Sequence, residues 1–152
     1  MQAAFTRLVL VLFSILAMCQ CSGTFDKDWP AALAAQKAAP AQDISGPWIG
    51  TWLSQGSHHG GQLRCIVSQA DAKTGQSKFH YSANFMHIAS ASYEVTHLVK
   101  RAPEGFTFTG DQKLTGLGGG LYHYVGKATP TTFHATYRSE NDYGVFDMTR
   151  PK

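Results

Sequence analysis

From residue 46 onward, bulky apolar and polar side chains alternate with a period of two. That spacing puts alternate residues on one face of a β-strand. Turn signals rich in Gly, Pro, Asn and Asp break the alternation. The pattern predicts eight strands, at 48–54, 62–69, 78–88, 92–101, 106–113, 121–127, 132–139 and 143–149. The third is the clearest: Phe79, Tyr81, Ala83 and Phe85 alternate with His80, Ser82 and Asn84. Short loops between successive strands predict an antiparallel up-and-down meander. Closing eight strands into a barrel removes the exposed edges of an open sheet. The expected fold is therefore all-β, an eight-stranded meander barrel, with a two-sheet sandwich as the alternative.

The first strand sets the inner face. In Gly46-Pro-Trp-Ile-Gly-Thr-Trp52, residues Trp48, Gly50 and Trp52 share one side. The same parity elsewhere places Phe79, Tyr81, Phe85, Tyr93, Phe106, Phe108, Tyr122, Tyr124, Phe133, Tyr137, Phe146 and Met148 inside. His80, Asn84, Glu94, Thr107, His123, His134 and Asp147 fall outside, while Ile66, Leu98 and Val125 break the pattern.

Upstream, the pattern changes twice. Residues 8–18 form an apolar run, broken only by Ser14, behind Arg7. Eleven residues suit the core of a secretory signal and fall short of the about 20 that a membrane-spanning helix needs. Residues 1–23 are expected to be a signal peptide, with an uncleaved anchor helix as the alternative. Leu16-Ala-Met-Cys19 is similar to a bacterial lipobox, which makes Cys19 the candidate lipidation site and membrane tether. Ordinary cleavage after Gly23 is the competing expectation. Residues 24–45 form a lead-in or spacer in which an Ala-rich stretch after Trp29-Pro30 predicts a short helix, Pro standing in its first turn. That helix either docks through Trp29 and Leu33, capping one barrel end, or frays. Residues 46–152 form the β domain. The expected location is outside the cytoplasm, in a bacterial periplasm or outer envelope.

Composition narrows the function. A net charge of +3 without a basic run gives no electrostatic footprint for nucleic acid. Of three Cys, only Cys65 lies in the β domain, so no disulfide framework can form there. Flanked by Arg64 and Ile66 and alternating with Leu63 and Val67, Cys65 reads as a buried thiol rather than a nucleophile. Seven His residues show no metal-binding spacing, and His80, His123 and His134 read as solvated strand positions. The Gly116–Gly120 run leads into a strand, not a helix, and so reads as a loop rather than a phosphate cradle. No cofactor, metal or catalytic group is expected. A third reading, an enzyme or metal site, requires several His side chains to converge.

Gly50-Thr51-Trp52 resembles the Gly-x-Trp signature of the calycins, the lipocalin, fatty-acid-binding and avidin-like barrels. The resemblance implies that Trp52 packs at the closed barrel end against an arginine from the last strand, here Arg150. It also implies a small-molecule binder. The expected ligand is apolar or aromatic, with Tyr81, Tyr122 and Tyr124 as candidate pocket liners. The alternative is a structural or protein-interaction lipoprotein with a filled core, its protein partner unspecified.

Overall fold

The computed structural model describes residues 22–85, 89–115 and 119–152. The apolar leader and Cys19 lie outside these residues. All eight expected strands form: β1 (Gly46–Ser54), β2 (Gly60–Val67), β3 (Gln76–Phe85), β4 (Ala89–Ala102), β5 (Gly105–Leu114), β6 (Gly120–Ala128), β7 (Thr132–Arg138) and β8 (Tyr143–Thr149). Each pairs antiparallel with the next in sequence, and β8 returns to β1, closing a barrel. The closing register sets Ile49 opposite Thr149 and Ser54 opposite Gly144, which excludes the sandwich.

The inner face follows the two-residue period. Trp48, Phe79, Tyr81, Phe108, Tyr124, Phe133, Phe146 and Met148 are all buried. Leu63, Cys65, Val67 and Val95 join them from β2 and β4. Two glycines show why the pleat is not filled by side chains alone. A Cβ on Gly50 would lie 2.0 Å from the Asp147 carbonyl oxygen, so the glycine of Gly50-Thr51-Trp52 lets β8 close onto β1. A Cβ on Gly126 would strike the Phe108 ring at 2.1 Å; its absence gives that ring its place in the core.

One helix, α1 (Ser22–Ala38), precedes the barrel. It begins well before Trp29, so Pro30 sits inside it rather than in its first turn. Proline there has no N–H for the Asp26 carbonyl and would by itself disfavour the helix by about 3 kcal/mol. Tertiary contacts offset this. Phe25 is buried, stacks on Trp29 at 5.6 Å and meets His80 edge-on at 5.0 Å. The Arg64 guanidinium lies 4.9 Å from the Phe25 ring centre and 5.4 Å from that of Trp29, while its Nη2 donates to Asp26 at 3.0 Å. The helix therefore docks on the outside of the sheet, chiefly through Phe25. It does not cap a barrel end through Trp29.

Candidate functional site

Strand direction gives the barrel two unlike ends. One carries the start of β1, the end of β8 and the β2–β3, β4–β5 and β6–β7 connections. The other carries the β1–β2, β3–β4, β5–β6 and β7–β8 connections.

Arg150 closes the first end. Its guanidinium carbon lies 3.8 Å from the Trp48 ring centre, a cation–π stack. Its nitrogens donate to four backbone carbonyls: Nη2 to Asp43 at 2.7 Å, Nη1 to Ser45 at 2.7 Å and Pro47 at 3.2 Å, and Nε to Pro130 at 3.0 Å. Burial pushes the Arg150 pKa down to about 10, partly offset by Asp43, and leaves it charged at neutral pH. The Trp48 indole N–H donates to the Ile44 carbonyl at 2.9 Å, so the segment between α1 and β1 lies over this end. The expected Trp52–Arg150 pair does not form. The closing register explains the correction: Ile49 faces Thr149, so the residue level with Arg150 is Trp48. Trp52 sits toward the other end, opposite Phe146, and donates through Nε1 to the Asn84 carbonyl at 3.0 Å.

Between the ends, buried rings cluster inside the barrel. Phe79, Phe108 and Phe133 pack together, with Phe108 and Phe133 centred 4.9 Å apart. Tyr81 stacks on Tyr93 at 5.4 Å and on Tyr124 at 6.4 Å, and Tyr122 stacks on Tyr124 at 6.3 Å. The three candidate pocket liners, Tyr81, Tyr122 and Tyr124, thus come together, but as packing partners within the core. Burial raises the hydroxyl pKa of Tyr81, Tyr93, Tyr124 and Tyr137 and the Cys65 thiol pKa, so all stay neutral and protonated at pH 7. A buried neutral thiol is an inert one.

His97 is the residue that sequence reasoning missed. It is fully buried, edge-on to Phe79 at 4.3 Å, with Nε2 3.4 Å from the Tyr81 hydroxyl. Its Nδ1 has no hydrogen-bond partner among the described residues. A Cβ on Gly110 would come within 2.6 Å of this Nδ1, so the glycine makes room for the ring. Desolvation pushes the His97 pKa down to about 4; the Thr109 backbone and Asp111 offset part of that shift. The parity of β4 carried the signal, since His97 shares a face with Tyr93 and Val95.

At the second end, Trp52 meets Phe85 at 5.0 Å, and Phe85 is 42% exposed. Ser54 and Tyr137 both donate to the Asp142 carboxylate, fixing the β7–β8 corner against β1. His58 and His59 are exposed in the β1–β2 loop, and His123 and His134 each pair with an aspartate, Asp111 at 2.7 Å and Asp147 at 2.6 Å. Among the described residues no three His, Cys, Asp or Glu side chains converge as a metal site.

The outer face carries an apolar row. Cross-strand register aligns Leu53, Val145, Thr136, Val125, Thr109 and Leu98 across six strands. Val125 is 58% exposed, and Leu53 and Leu98 are exposed as well. The middle of the row, Val145, Thr136, Val125 and Thr109, lies on β8, β7, β6 and β5. No protein-family model, curated protein or solved structure matches the chain.

Proposed function

We propose that this protein is a non-catalytic interaction module of the cell envelope whose barrel is filled and which acts through its outer surface. The observation that carries this reading is the interior itself: stacked tyrosine and phenylalanine rings occupy the space where a calycin-like barrel would hold its ligand. Eight strands make a barrel just wide enough for side chains to fill, and here large aromatic ones do so. The exposed Leu53, Val125 and Leu98 side chains, spaced along one cross-strand row with Thr136 and Thr109 between them, support a surface role.

The test is a melt and an NMR titration with a panel of apolar and aromatic ligands. The reading expects no thermal stabilisation and no movement of the Tyr81, Tyr124 or Phe108 ring resonances. Stabilisation that grows with ligand concentration and shifts those rings restores the interior-binding reading.

A further inference from the structure

We propose that the second barrel end seats on a lipid bilayer, with an apolar and aromatic rim in contact with lipid. Four large apolar side chains stand exposed at this end: Leu53 near the end of β1, Phe85 at the end of β3, Leu121 near the start of β6 and Tyr143 at the start of β8. Trp52 joins them, part-exposed beside Phe85. They come from strands around the circumference, so they ring the end rather than line one groove, and a ring fits a planar partner. Exposed apolar area of this kind marks a protein or membrane contact, and Trp and Tyr favour the membrane–water boundary. Charge selects no partner here. Lys113 and Arg138 are matched by Glu140 and Asp142, and Arg138 lies over the Tyr143 ring at 5.4 Å. The β1–β2 connection, residues 55–59, holds no Lys, Arg, Asp or Glu. The first end is closed instead by the Arg150 guanidinium.

The direction of α1 decides for a bilayer over a protein partner. Phe25 meets His80 and Arg64, both midway along their strands. Further along the helix, Gln36 lies at the start of β1: a Cβ on Gly46 would stand 3.2 Å from its Oε1. The helix therefore runs from mid-barrel toward the first end. Its amino terminus, Ser22, about one turn before Phe25, points toward the second. The apolar run of residues 8–18 ends so close to Ser22 that the chain between them reaches no more than about 14 Å. A tether there, the run itself or a lipid on Cys19, brings the bilayer to the end that carries the rim. Stable membrane attachment takes two signals, one of them weak alone. The rim supplies the second and sets the barrel upright. This inference rests on the envelope reading above and on a chain that keeps residues 1–21.

The experiment is tryptophan fluorescence of the full chain with phosphatidylcholine vesicles whose acyl chains carry bromine, a contact quencher. The three tryptophans mark three places: Trp52 at the rim, Trp29 on α1 and Trp48 buried at the first end. The proposal expects quenching that Trp52→Phe abolishes and Trp29→Phe leaves in place. Phe85→Ser combined with Leu121→Ser should cut the Trp52 quenching about threefold. Both side chains are exposed, and an unchanged circular dichroism spectrum confirms that this variant is folded. Adding phosphatidylglycerol should change the quenching less than about twofold, since the rim carries balanced charge. A vesicle-bound chain with Trp52 unquenched, quenching that survives Trp52→Phe or is undiminished in the double variant, or quenching that requires anionic lipid overturns this proposal alone. A full chain that stays in the aqueous phase overturns it together with the envelope reading. None of these outcomes bears on the filled interior, whose readout is the Tyr81 and Phe108 rings.

Discussion

The two ends of this barrel are both aromatic, yet they solve different problems. At one, Trp48 is fully buried beneath a guanidinium whose donors reach four carbonyls from two segments. At the other, Trp52 is part-exposed, makes one hydrogen bond to a β3 carbonyl and leans on a Phe85 that is itself exposed. The same residue type four positions apart on one strand becomes a keystone or a rim. What differs is how many chain segments depend on it. Arg150 ties the chain before β1 to the β6–β7 turn and the end of β8. Through its one hydrogen bond Trp52 ties β1 to the end of β3.

This comparison predicts its own largest effect. Arg150→Ala removes the cation–π stack and leaves the carbonyls of Asp43, Ser45, Pro47 and Pro130 without their donor. The expected loss is about 4 kcal/mol in urea unfolding. Lysine should restore less than half, because one ammonium cannot serve carbonyls arranged around a planar fork. A loss below about 1 kcal/mol would mean that this end is held by packing alone.

The next effect lies between the ends, at His97. Its folded pKa is about 4, below the ordinary His value of 6.5. The unfolded chain therefore binds the extra proton first as pH falls. Stability contributed by keeping the ring neutral is full above pH 6.5 and is lost as pH drops toward about 4. The loss should approach about 3 kcal/mol. Urea midpoints at several pH values, compared with His97→Leu, isolate it: the difference between the two proteins should shrink or reverse in acid. Parallel pH profiles would show that the ring titrates normally.

Smaller again is the helix. Phe25→Ala should release α1 at a cost of about 2 kcal/mol while the barrel stays folded. Hydrogen exchange reads this directly, with α1 amides losing protection and β5 to β8 amides keeping theirs. Loss of protection throughout would make α1 part of the barrel's cooperative unit.

The sequence made the barrel legible because its signal is local: a two-residue period and turn residues at the right intervals are visible in any window. Trp48, Tyr81 and Phe146 needed nothing more. What was illegible depended on long-range register. Arg150 was paired with Trp52 by resemblance, whereas the β1–β8 register places it beside Trp48. Likewise Pro30 argued against a helix that starts at Ser22, until Phe25 found its seat between Arg64 and His80. His97 obeyed the local rule, but a histidine reads as polar and so was not counted inside. Residues on one face can line a cavity or fill it, and a two-residue period reads the same for both; the contacts among Tyr81, Tyr122 and Tyr124 depend on ring-to-ring distances that no local pattern carries.

The smallest predicted effect is the most telling about function. At the rim, Phe85→Ser removes a ring that is 42% exposed and touches chiefly Trp52. Little buried area is lost and no hydrogen bond is broken, since Trp52 Nε1 keeps the Asn84 carbonyl. Stability should fall by less than about 1 kcal/mol, against about 4 kcal/mol for Arg150→Ala. The same reasoning applies to Val125→Lys on the apolar row, which should leave the melting temperature nearly unchanged. Unchanged stability in both variants would show these exposed apolar side chains to be dispensable for folding, as the proposed surface role expects. If either substitution instead unfolds the protein, those side chains serve the fold. The contrast between a structural end and an exposed rim then disappears.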